Sequence, residues 1–174
     1  MADARKGNPT MVSEDRQGYR YGIIIAIVTV ILVVAICVFA RWWMHRPADT
    51  SHVQYSYSAS TRFSKAQLDA AGRTITQSFS TLTGCTLHKV SYDEAKTDEM
   101  LDWEDKTKSE SPDYWSSVYD AYQQYGRDRI FMATVDFDCD GSDPSLPDGP
   151  QSMTWYLRLN DDGRTWTEVD HGNG

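Results

Sequence analysis

Residues 129–139 read RIFMATVDFDC. Phe131, Ala133, Val135, Phe137 and Cys139 occupy alternate positions, and Met132, Thr134, Asp136 and Asp138 fill the gaps. A period of two with one apolar set is the pattern of a strand that buries one face. This segment predicts a central strand, and the rest of the fold is read outward from it. Residues 140–151, DGSDPSLPDGPQ, are turn chemistry throughout. Residues 152–160 predict a second strand, with Met153, Trp155, Leu157 and Leu159 on one face. Asp161-Asp162-Gly163 reads as a hairpin turn, and residues 164–171 as the last strand, carrying Trp166 and Val169. Upstream, residues 85–92, CTLHKVSY, are β-branched and alternating, so a further strand is expected there.

Helical periodicity appears on the N-terminal side of these strands. Leu68, Ala71, Ile75, Phe79 and Leu82 recur at intervals of three and four, giving one apolar stripe over residues 64–82. Ser64 and Gln67 form an S-x-x-Q capping box, Phe63 is placed to staple onto Leu68, and Gly84 is a natural stop. The acidic stretch 93–111 has a weak apolar side in Met100, Leu101 and Trp103 and reads as an exposed helix or an excursion loop. Ser111-Pro112-Asp113 opens a short helix whose expected buried side is Trp115, Val118, Tyr119 and Tyr122, ending at Gly126. The fold class that follows is α+β, with a helix packed on a curved antiparallel sheet over residues 63–174.

That order of elements carries a resemblance. Phe79, Gly84-Cys85-Thr86-Leu87, Tyr92-Asp93-Glu94, Asp136-Phe137, Trp155, Gly163, Trp166, Asp170 and Gly172 resemble the pattern of bacterial extracytoplasmic domains similar to the nuclear transport factor two-like, cone-shaped α+β fold. The likeness implies a cone-like domain outside the cytoplasm. It implies no activity, and the stretch 93–111 has no clear counterpart in it.

Residues 22–40, GIIIAIVTVILVVAICVFA, contain no charge. As a helix they span roughly 28 Å, about the thickness of a bilayer's hydrocarbon. Tyr19 and Tyr21 flank one end and Trp42 and Trp43 the other, as an aromatic belt would. A cleaved signal peptide ending at Ala40 and a lipoprotein signal at Cys37 are the competing readings. The apolar run is too long for the first, and Ile36 is too large before the second. A single-pass anchor is therefore expected. Arg5, Lys6, Arg16 and Arg20 precede the run and only Arg41 and Arg46 follow it closely, which predicts a cytoplasmic tail over residues 1–21 and an outward C-terminal domain. The first 18 residues lack periodicity and are expected to be disordered. Residues 41–62, Ser-rich at their end, read as a linker.

The chain carries a net charge of −8, but residues 47–174 hold 11 Lys/Arg against 22 Asp/Glu. Such an acidic domain lacks the basic footprint that nucleic acid requires. The expected partners are the membrane itself and a protein at the cell surface. Cys85 and Cys139, both on predicted strands of an outside domain, are expected to form a disulfide.

Three further constellations bear on chemistry. Asp136, Asp138 and Asp140 precede Gly141 as D-x-D-x-D-G, half of a calcium loop, but Pro147 stands where the bidentate acid belongs. His88 and Tyr92 share a strand face by alternation, and would form a titratable ligand-binding pair if that face lined a pocket. If Cys85 and Leu87 face inward instead, both turn outward. Tyr114, Trp115, Tyr119, Tyr122, Tyr125, Trp155 and Trp166 are candidates for a binding platform or for core. No G-x-S-x-G, H-E-x-x-H, Walker loop or G-x-G-x-x-G is present, so no catalytic residue and no cofactor are expected. A non-catalytic binding module is the first expectation. A small-molecule enzyme using a cone pocket, with His88, Tyr92 or Asp136 as acid–base groups, is the alternative.

Overall fold

The computed structural model describes residues 11–44 and 46–172. The chain divides into two units, one ending at His45 and one beginning at Arg46. The first is a single helix, α1, Met11–Met44. It is long and apolar enough to cross a membrane over Tyr19–Trp43, and every side chain in that span is exposed. The Phe39 ring centroid lies 6.0 Å from that of Trp42 and 6.1 Å from that of Trp43, so three aromatic rings cluster at that end. The helix starts well before the expected residue 22, and residues 11–18, expected to be disordered, are helical. Propagating a helix costs far less than nucleating one, and no Pro interrupts this stretch. Residues 1–10 of the expected tail lie outside the described residues.

The second unit is an open five-stranded sheet in the order β1-β2-β3-β4-β5. The strands are β1 Gln54–Tyr57, β2 Cys85–Tyr92, β3 Ile130–Cys139, β4 Gly149–Leu159 and β5 Trp166–Gly172. The helices are α2 Lys65–Phe79, α3 Glu94–Glu110 and α4 Ser117–Tyr125. β3 is central, as its alternation predicts. β2 through β5 are antiparallel, but β1 runs parallel to β2, so the sheet is mixed rather than antiparallel.

β1 corrects the expected linker, because residues 46–62 belong to the domain. Parallel neighbours need a crossover, and α2 supplies it between β1 and β2. Tyr55 and Tyr57 fix the strand against that helix. The Tyr55 hydroxyl lies 2.8 Å from Thr76 Oγ1. A Cβ at Gly72 would fall 2.2 Å from Tyr57 Oη and 2.8 Å from Tyr55 Cε1, so only glycine lets the helix approach this closely.

The helices α2, α3 and α4 each begin at a side-chain cap. Ser64 and Gln67 complete the expected capping box of α2. Asp93 accepts the Ala95 amide at 3.0 Å to start α3, which resolves the acidic stretch as a helix. Ser116 accepts the Val118 and Tyr119 amides to start α4. The α4 helix therefore begins later than Ser111-Pro112 suggests, and Trp115, expected on its buried side, is 74% exposed.

Two apolar layers sandwich the sheet. In one, Leu68, Ile75 and Phe79 of α2 pack with Phe63, Val90, Tyr92, Phe131, Val135, Phe137, Trp155, Leu157 and Trp166. Against α3 and α4 lie Ile130, Tyr156 and Val169, packed with Leu101, Val118, Ala121 and Tyr122. Ile130 and Phe131 are consecutive, so strand alternation places the two layers on opposite faces. Arg127 ties the turn after α4 to α3, bonding Asp105 at 2.7 Å.

Candidate functional site

His88 is where the expected pair separates. Leu87 pairs with Phe137 and Lys89 with Asp136, so His88 is an extra residue, a β-bulge in β2. The bulge resets the alternation. Cys85 and Leu87 face the α2 layer before it, and Val90 and Tyr92 face the same layer after it. His88 is left exposed and meets Asp138 at 2.7 Å. Tyr92 is 2% exposed and stacks on Phe131, with ring centroids 4.5 Å apart and planes 6° apart. Burial pushes its hydroxyl up to about 12. The two residues do not converge, and the ring of Tyr92 packs in the core.

The three aspartates are also engaged separately. Asp136 accepts the Ser152 hydroxyl at 2.8 Å, Asp138 meets His88, and Asp140 pairs with Arg46 and accepts the Ser142 amide at 3.0 Å. Asp140 is held below the usual carboxylate range, first by the Ser142 hydroxyl and amide and then by the Arg46 charge. Among the described residues no group of three or more His, Cys, Asp or Glu could hold a metal ion. The calcium expectation is corrected on that geometry. Asp136 and Asp138 lie on a regular strand rather than curling around a centre.

Cys85 and Cys139 face each other in register and are disulfide-bonded, with Cα atoms 4.0 Å apart. The aromatic residues do not form one platform. Trp155, Trp166 and Tyr122 are buried. Tyr125 lies under Arg158, whose guanidinium carbon is 4.1 Å from the ring centroid. Trp115 is exposed, and half-buried Tyr114 meets the exposed Trp103 edge-on at 6.0 Å.

The face of the sheet away from α2 carries what alternation alone does not reveal. Ser56 pairs with Ser91, Ser91 with Thr134 and Thr134 with Thr154, so four hydroxyl residues form one row across β1, β2, β3 and β4. Neighbouring strands are about 4.8 Å apart, which sets the interval of the row. The first turn of α3 rises beside three of them. Between strand face and helix lies a groove of about 380 Å³, lined by Ser56, Ser58, Lys89, Ser91, Lys96 and Thr134, with Met132 on its floor. Lys89 comes from the strand and Lys96 from the helix, and neither ion-pairs among the described residues. The hydroxyls of Ser56, Ser91 and Thr134 likewise have no hydrogen-bond partner there. Tyr57, Tyr92 and Asp93 also line the groove, so the expected residue Tyr92 borders it although its ring lies in the core, and the Asp93 carboxylate caps α3. The only sequence signal for these residues lies in the outward positions of residues 85–92 and 129–139, and the row needs a register no single strand contains.

On the opposite side, the interior of the α2 layer is filled, while a wider groove of about 700 Å³ opens at its β1 edge beside Tyr55, Tyr57, Phe63 and Leu68. Phe63, Phe79, Phe131, Phe137, Trp155 and Trp166 pack at ring distances of 5.0–6.2 Å. No protein family, no curated protein and no solved structure matches this chain.

Proposed function

We infer that the protein is a non-catalytic binding module, held to a membrane by α1 and displayed on the outer side. The observation that carries this reading is the groove of unpartnered hydroxyls and lysines on the sheet face away from α2. Polar groups left open together in a concave site are what a binding site offers a ligand. The acid–base pair an enzyme would need is not assembled, since His88 is exposed on one face and Tyr92 is buried under the other. The outward orientation draws on the basic residues ahead of the apolar span and on the disulfide, which persists where thiols are oxidised. The likeness to the nuclear transport factor two-like cone belongs to this proposal as well. It is supported by α2 crossing one face of the sheet, while α3 and α4 add a layer on the other face.

Protease treatment of intact cells tests the orientation. The expected result is loss of the domain from Arg46 onward with the N-terminal segment protected. Digestion of the N-terminal segment with the domain protected overturns it. Mass measurement of the mature chain distinguishes an anchor from a cleaved signal, because a chain starting at Arg41 would carry no membrane span.

A further inference from the structure

We propose that the groove between β1, β2, β3 and the first turn of α3 binds a small hydroxyl-rich anion, a sugar phosphate or a sugar acid. The proposal rests on the binding-module reading and names its ligand class. Three features of the groove converge on it. The first is charge. The domain holds twice as many acidic as basic residues, yet the groove's two walls each present an ammonium, Lys89 and Lys96, with no carboxylate partner among the described residues. Two lysines against a single lining carboxylate, Asp93, leave the groove net positive and favour an anion between them. Asp93 caps α3, and Asp136, across from Lys89, accepts the Ser152 hydroxyl, so neither carboxylate is hydrogen-bonded to a lysine.

The second feature is the hydroxyl row. Ser56, Ser91 and Thr134 can each donate one hydrogen bond and accept two, and none does so within the described residues. Such groups pair best with a ligand that both donates and accepts, which a polyol does and a bare inorganic anion does less well. The third feature is size. About 380 Å³ lies in the range of small-ligand clefts, roughly 300–1,000 Å³. Met132 supplies a patch of apolar floor against which the carbon skeleton of a sugar ring can rest. The row is held rigidly, since all of it stands on paired strands rather than loops.

Titration of the full chain in detergent micelles tests this, with the methyl groups of Met132 and Thr134 followed by NMR. The probes are glucose 6-phosphate and glucuronate, with glucose and inorganic phosphate as comparison arms. Saturable shifts of both methyls by the two anionic sugars, at lower concentration than by glucose or phosphate, are expected. Lys89→Gln and Lys96→Gln should each weaken binding about fivefold, the upper end of what a solvent-accessible ion pair contributes. Thr134→Val, read through Met132, should narrow the preference for the sugar phosphate over inorganic phosphate. Unshifted methyls, equal binding of glucose and glucose 6-phosphate, equal binding of inorganic phosphate, or lysine variants that bind as the parent does would each overturn the proposal. Such a failure leaves the outward orientation standing on its own protease test. Inverted orientation with intact sugar binding would strike the outward display and leave the ligand assignment.

Discussion

Leu87 and Val90 face the same apolar layer although three positions separate them, an odd interval that regular alternation forbids. His88 is the residue that reconciles them, because it is accommodated as a bulge and takes no partner on β3. Deleting His88 should therefore leave a regular strand in which Cys85, Leu87, Val90 and Tyr92 still face inward. The expected change in unfolding free energy is within about 1 kcal/mol, as for a surface site. Deleting Ser91 instead turns Tyr92 outward, removes its stack on Phe131, and should cost more than about 3 kcal/mol. Denaturant unfolding followed by tryptophan fluorescence separates the two. Comparable losses in both variants would mean the bulge does not set the facing.

The disulfide joins residues 54 apart in sequence that are already directly opposite on paired strands. Most of its effect is then exerted on the unfolded chain, whose loop it closes. The chain-entropy relation gives about 4 kcal/mol for a loop of that length. The double variant Cys85→Ala/Cys139→Ala should lose about that much while keeping its secondary structure. A loss below about 1 kcal/mol, measured by denaturant unfolding, would place the register's stability in the strands alone.

Tyr92 separates a core role from a site role. Its ring is enclosed by Phe63 and Phe131, while its hydroxyl reaches Glu94 only at 3.4 Å. Tyr92→Phe should change stability by less than about 1 kcal/mol, because the ring and its stack remain. Phe79→Ala, which empties a fully buried position between Phe137 and Trp155, should cost about 3–5 kcal/mol. Thermal unfolding of the two variants side by side reads the difference directly.

Elements with strong periodicity are legible in the amino-acid sequence alone. Residues 129–139 announce a central strand because every second side chain is apolar, and α2 announces itself through both its stripe and its capping box. The disulfide is legible because the expected compartment and the strand placement both favour it. β1 is not, since four residues between serines carry too little pattern, and its pairing is with a strand 35 positions away. The bulge at His88 is invisible for a different reason. A period-two reading must choose one face for the whole strand, so Cys85 with Leu87 and Val90 with Tyr92 become exclusive alternatives. The groove compounds both problems, because it needs β1 in place and the facing after His88 settled before Ser56, Lys89, Ser91 and Thr134 share a surface.

Glu94 is the residue through which acid should act. It sits at the start of α3 and accepts from the loop ahead of α2: the Ser60 hydroxyl, the Thr61 hydroxyl at 2.6 Å, and the Thr61 and Arg62 amides at 3.0 and 3.4 Å. Burial raises its pKa, but these donors outweigh that effect and hold the carboxyl at about 2, below its ordinary 4.5. A depressed folded-state pKa means that the unfolded chain takes up the proton first. The contribution is thus complete above about pH 4.5 and is lost as pH falls toward 2. Glu94→Gln should lower stability at neutral pH by about 1–2 kcal/mol, allowing for solvent screening of a partly exposed group. It should also flatten the fall between pH 4.5 and 2, since the variant has no proton to gain there. Unfolding curves across that interval make the comparison. Parallel pH profiles for parent and variant would move the acid sensitivity to other depressed carboxylates, of which Asp162, held at about 2 by the Thr165 and Arg164 amides, is the first to replace.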